Sequence, residues 1–192
     1  MPAATQIPEQ ILRRIEGASP QIVEFLDLWN RARQGLLAPL RREFDPFEAP
    51  RLLRHNWLYR YLPEKQDFVC KLAGENVNEA WGGRLKGKYL SEVVGPDYAA
   101  DAIRRWRRVI DTPLLLYGSI AGPPDDGSPR VAERLVLPLA SSLDQIDHTI
   151  GISVYSVPQT DRDNIPPVWR DMVEIPCEDI RALDGVRAPD TA

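Results

Sequence analysis

The chain has 192 residues, 43% apolar and 27% charged, a profile that fits a folded soluble domain and excludes a disordered or fibrous chain. Its formal net charge of −4 is localised: residues 161–192 carry eight acids against four arginines, so residues 1–160 are balanced and lack the basic field of a dedicated nucleic-acid binder. Cys70 and Cys177 have no zinc spacing and are too few for a disulfide framework, and the longest uncharged stretches, Thr112 to Pro124 and His148 to Thr160, are too short to span a bilayer. No secretion signal, membrane helix or metal site is expected, and the expected location is a reducing cytoplasm.

In chain order, Pro8 to Ile15 reads as a short helix ended by Gly17. Ser19 to Leu37 follows as an amphipathic helix, capped by Ser19 with Pro20 in the first turn, and Ile22, Phe25, Leu26, Trp29 and Leu36 make one apolar stripe. Asp45-Pro46-Phe47-Glu48 signals a further short helix reaching Leu53. The period then changes. Trp57 to Leu62 and Phe68 to Ala73 are rich in aromatic and branched residues and flank the polar stretch Pro63 to Asp67, the pattern of a hairpin. Glycines break the stretch from Gly74 to Gly95 into helical pieces around Val77 to Trp81 and Tyr89 to Val94.

A longer helix runs from Pro96 to about Ile110, with Arg104, Arg105, Arg107 and Arg108 in one arc and Trp106 turned to the buried side. Three antiparallel strands are expected next, Leu114 to Ala121, Val131 to Ala140 and Thr149 to Val157, joined by the turn-rich segment Pro123 to Pro129 and by the polar segment Ser141 to His148. The sum is an α+β domain with a five-stranded antiparallel sheet. Residues 158–192, with prolines at 158, 166, 167, 176 and 189, read as an irregular acidic tail. Val168, Trp169, Met172, Val173 and Ile175 suit either a strap docked on the domain or a partner-binding motif, with docking expected for residues 165–177.

This order of two strands, short helices, one helix and three strands resembles a PAS domain. More narrowly it resembles the single-domain PAS proteins common in alphaproteobacteria, on Leu28-Trp29, Asp45-Pro46 and Leu52-Leu53 in the helical lead, Leu72-Ala73-Gly74, Asn76-Val77-Asn78-Glu79-Ala80-Trp81, and Leu85-Lys86-Gly87-Lys88-Tyr89-Leu90. The resemblance spans roughly residues 20 to 158. It implies a bacterial sensory or regulatory module with sheet order 2-1-5-4-3, a lead over residues 1–54 packing on a core at 55–158, and a tail at 159–192. It further implies a non-enzymatic protein that acts by contacts with other signalling proteins, modulated by a non-covalent small ligand where a pocket exists.

Each PAS cofactor needs particular residues. A haem ligand on the long helix is missing, since the only histidines are His55 and His148, both at expected element ends, and Cys70 sits mid-strand rather than in the context of a flavin adduct. Haem and covalent flavin are therefore not expected. A ligand pocket between the sheet and the helices would draw on Phe68, Cys70, Trp81, Tyr89, Tyr98, Trp106, Tyr117 and Tyr155, all of which also suit plain core packing. Ile22, Phe25, Leu26 and Trp29 suit either docking on the chain's own sheet or a homodimer interface. The arginine arc of the longer helix, with Arg31, Arg33, Arg41, Arg42, Arg51 and Arg54, reads first as a solvated face, and nucleic-acid binding is not expected. The alternative of a different class is a cone-fold α+β enzyme or carrier of the NTF2 and ketosteroid-isomerase type, acting on a small apolar substrate, in which Tyr59, Tyr117 and Glu133 would supply acid-base groups.

Overall fold

A single antiparallel sheet with a hydrophobic core on each face organises the chain in the computed structural model, which describes residues 7–121, 130–155 and 168–184. Its strands are β1 (Asn56–Leu62), β2 (Asp67–Ala73), β3 (Leu114–Ala121), β4 (Arg130–Ser142), β5 (Gln145–Tyr155) and β6 (Val168–Pro176), in the order β2-β1-β5-β4-β3-β6. Five of these follow the expected 2-1-5-4-3 order. The sixth corrects the irregular tail: β6 pairs antiparallel with β3 and continues into a short helix, α6 (Cys177–Ala182).

The helical lead consists of α1 (Glu9–Arg14) and α2 (Pro20–Ala32) followed by two 3-10 turns, Pro46–Glu48 and Pro50–His55. Helix α2 stops short of the expected Leu37 because Gln34 and Gly35 both take positive φ, of 48° and 82°. The expected helix from Asp45 is a pair of 3-10 turns instead, and Asp45 caps the first of them as expected, its carboxylate accepting from the Phe47 amide at 2.9 Å. The α2 stripe lies on one sheet face, against Leu115, Leu135, Leu137, Leu139, Ile150 and Ile152. Ile22, Phe25, Leu26 and Trp29 are fully buried there, and Trp29 Nε1 donates to the Pro138 carbonyl at 2.8 Å. Burial of side chains of this size stabilises the docked helix by about 1.5–3 kcal/mol each. The stripe is thus spent on the chain's own sheet and offers none of these four side chains to a second copy.

The C-terminal segment belongs to the same face. Ile175, Cys177 and Ile180 join the lead-side core, and Arg33, buried at the end of α2, forms a two-pronged ion pair with Asp184 beyond α6 while its Nε donates to Asn30 Oδ1 at 2.7 Å. Arg14 on α1 also donates to the Glu174 carbonyl at 2.7 Å. Lead and C-terminal segment therefore hold each other as well as the sheet.

The opposite face carries α3 (Glu75–Ala80), α4 (Leu90–Val94) and α5 (Pro96–Asp111). Helix α5 packs through Trp106, Val109 and Ile110, as its apolar spacing predicts. A further difference lies at the β4–β5 connection. The expected polar loop from Ser141 to His148 shrinks to a tight turn, because both strands extend to pair Ser142 with Gln145, and His148 falls inside β5 rather than at its end.

Candidate functional site

On the helix-covered face, Trp57 of β1 stands over Gly151 of β5, its direct partner in the ladder. A Cβ at position 151 would overlap the Trp57 ring and the Leu135 carbonyl, so the missing side chain is what lets the indole lie down. Trp106 stacks on it at 4.8 Å with the rings parallel to within 1°, and Tyr59 and Phe68 meet Trp106 edge-on at 5.0 and 5.6 Å. The space left among Trp57, Tyr59, Val77, Trp81, Leu85, Leu90 and Trp106 is about 20 Å³, little more than one water molecule needs.

A larger space opens beside it, between α5 and β6. This groove, about 420 Å³, is lined by Leu90, Val94, Tyr98, Ala102, Trp106, Trp169 and Met172, by four arginines (Arg104, Arg105, Arg108, Arg134) and by two carboxylates (Asp101, Glu174). Its β6 wall depends on an irregularity. Tyr117 pairs with Val173 and Ser119 with Arg170, so β6 spends three residues where β3 spends two. The extra residue brings Trp169 onto the same face as Glu174, although they are five positions apart and a regular strand would put them on opposite sides.

The charges in the groove are unevenly matched. Arg104 pairs with Asp101 at 2.5 Å, and Arg108 grips both oxygens of Glu174 at 2.9 and 2.6 Å. Arg105 and Arg134 have no carboxylate partner among the described residues. Arg134 is only 7% exposed, and its Nε donates to Ser153 Oγ at 2.9 Å. Trp57 Nε1 donates to the same oxygen at 2.9 Å, so one buried hydroxyl links the aromatic stack to the groove. Both guanidinium carbons lie 5.8 Å from the centre of the Trp169 ring. Burial pulls Arg105 below its ordinary value, Arg104 and Arg134 pull the same way, and Asp101 and Glu174 oppose them.

The expected pocket residues divide. Phe68, Cys70 and Trp106 are core side chains of the helix-covered face. Trp81 and Tyr155 meet at its margin, where Trp81 Nε1 donates to the Tyr155 hydroxyl at 3.1 Å. Tyr89 is half-buried as the N-cap of α4, its amide donating to Glu92 at 2.7 Å, and Tyr98 lies exposed on the groove rim. Tyr117 must be removed from the set, because strand alternation puts it on the lead-covered face, where its hydroxyl donates to Glu133 Oε1 at 2.6 Å. The same Glu133 oxygen accepts the Ser19 amide at 2.9 Å, at the start of α2. Tyr59 stands on the other face, so the three groups of the acid-base alternative do not converge.

Burial pushes the Tyr59 hydroxyl far above its ordinary range, with Cys70 adding to the effect. It raises the Cys70 thiol as well and pushes Cys177 up to about 12, so both thiols sit in unreactive surroundings. His55 and His148 are both held below the ordinary 6.5, chiefly by burial; His148 bonds Asp147 at 2.7 Å and faces Arg60 and Arg41. The wider arginine set is largely paired: Arg31 with Asp27 and Glu48, Arg33 with Asp184, Arg42 with Glu43, Arg51 with Glu24, Arg54 with Glu75 and Arg107 with Asp111. Sequence reasoning missed Arg134, Ser153 and the groove role of Trp169; the one available signal was a charged residue inside the apolar run from Val131 to Ala140.

No helix among the described residues is long and apolar enough to cross a membrane. No curated protein and no solved structure matches the chain. A family description does match: that of the PAS domain, over residues 18–154, from the start of α2 to the end of β5. With the sheet order, the helix-covered face and this match over most of its length in agreement, the chain belongs to the PAS domain family.

Proposed function

We propose that the chain is a non-enzymatic regulatory PAS protein that works through contacts with other signalling proteins, its state set by a non-covalent small molecule. The observation that carries this reading is the PAS family match over residues 18–154, and the filled interior of the helix-covered face narrows the ligands it can take. Stacked Trp57 and Trp106, with Tyr59 and Phe68 against them, leave about 20 Å³, too little for a haem or a flavin between sheet and helices. The separation of Tyr59 from Tyr117 and Glu133 by the sheet further supports a binding role over acid-base catalysis. Capture of the tagged full chain from its native host, followed by quantitative mass spectrometry, tests the reading. A small set of signalling proteins enriched to near-stoichiometric amounts is expected. Absence of any enrichment over an untagged control, in both growing and starved cells, overturns it.

A further inference from the structure

The groove between α5 and β6 holds two buried or half-buried cations with no carboxylate paired to them among the described residues. Its two carboxylates are already engaged by Arg104 and Arg108, so the excess positive charge falls on Arg105 and Arg134. Of the five N–H donors of the Arg134 guanidinium, one has a partner among the described residues, the Ser153 hydroxyl. A cation 7% exposed, whose partners among the described residues are one hydroxyl and the Trp169 ring, is costly to keep, and an anion in the groove would offset that cost. Leu90, Val94, Ala102 and the Trp169 ring supply apolar walls beside these charges, and the volume lies in the range of small-molecule sites.

We propose that this groove binds a small organic anion, a carboxylate or phosphate ester on a flat apolar body, with the charge held between Arg105 and Arg134 and the body along Trp169. The depth of Arg134 favours a small molecule over an acidic peptide, since a peptide main chain would meet the exposed rim at Tyr98 and Met172 rather than a nearly covered guanidinium. The site adjoins the filled space between sheet and helices, sharing Leu90, Val94, Trp106 and Arg134 with it, and differs in the wall that β6 adds through Trp169, Met172 and Glu174. Such a ligand supplies the input of the regulatory protein proposed above, and rests on that reading for its purpose. Its binding is measured with no partner present, so failure here and failure of partner capture are distinguishable.

The test is a titration of the ¹⁵N-labelled full chain by NMR, following the Trp169 indole N–H, assigned by its loss in Trp169→Phe. The probes are benzoate, phenyl phosphate, inorganic phosphate, benzyl alcohol and an acetylated acidic pentapeptide. Saturable shifts with benzoate or phenyl phosphate at a Kd on the order of 1 mM or tighter are expected, and whichever is tighter identifies the carboxylate or the phosphate source. Arg105→Gln and Arg134→Gln should each weaken binding roughly tenfold or more, whereas Arg42→Gln, outside the groove and paired with Glu43, should change it less than about twofold. Arg105 is only part-buried, so its variant keeps the test valid even if Arg134→Gln fails to fold. No saturable shift, equal binding of inorganic phosphate or benzyl alcohol, indifference to Arg105→Gln, or binding of the pentapeptide alone would each overturn the proposal.

Discussion

Ser153 Oγ accepts from Trp57 Nε1 and from Arg134 Nε, both at 2.9 Å, and the residue is fully buried. Ser153→Ala would leave an indole donor and a guanidinium donor without a partner, and an unsatisfied buried donor costs about 1–3 kcal/mol. Urea unfolding should therefore show the variant less stable than the parent by at least that amount. A second expectation at this scale concerns pH. The folded-state values of His55 and His148 lie below 6.5, so the unfolded chain takes up protons first. The stability contributed by their neutral rings is complete above about pH 6.5 and is lost as pH falls through the lower folded-state values. Denaturant midpoints should fall between about pH 7 and 5, and His148→Gln, which removes the ring facing Asp147, Arg60 and Arg41, should reduce that slope. Little of this was legible in the sequence. The position of Ser153 opposite Arg134 follows from the β4–β5 register, and His148 became internal only because β5 extends past it.

At the scale of elements, patterning identified the hairpin, helix α5 and strands β3 to β5, whose periodicities are strong and whose burial is one-sided or complete. It failed on the C-terminal segment, where prolines and acids obscured a strand that gains its stability from an existing edge rather than from its own sequence. Strand β6 covers the open side of β3, and Ile175 and Ile180 each add burial worth about 1.5–3 kcal/mol. A chain ending at residue 160 should lose several kcal/mol by this measure and the Arg33–Asp184 clamp besides, and should aggregate through the exposed β3 edge. Thermal unfolding and size-exclusion chromatography read both effects. Equal melting temperature and a sharp monomer peak would show that the segment is only a solubilising extension.

The whole molecule is a sheet shared by two cores that differ in character. Mostly aliphatic side chains, with α2, fill one, and a stacked aromatic cluster is the centre of the other. Strand β4 serves both: Glu133 faces the start of α2, and its neighbour Arg134 faces the groove. Amides of β4 and β5 around Leu135 to Leu139 and Ile150 to Ile152, which are central and fully covered, should exchange hydrogen only on global unfolding. Those of α3 and β2, at the sheet's other margin, should exchange through smaller openings. Similar protection across all of these elements would mean that the two cores unfold as one unit.

The extra residue in β6 also decides where the gene can change length. Removing one residue between Arg170 and Val173 would regularise the strand and still leave Trp169 opposite Ile120, on the groove side. Removing one between Val173 and Pro176 would turn over everything before it and send the indole toward α2. Among close relatives, single-residue deletions in this strand are therefore expected at position 171 or 172 and nowhere else, a signature that an alignment of such sequences would reveal at once.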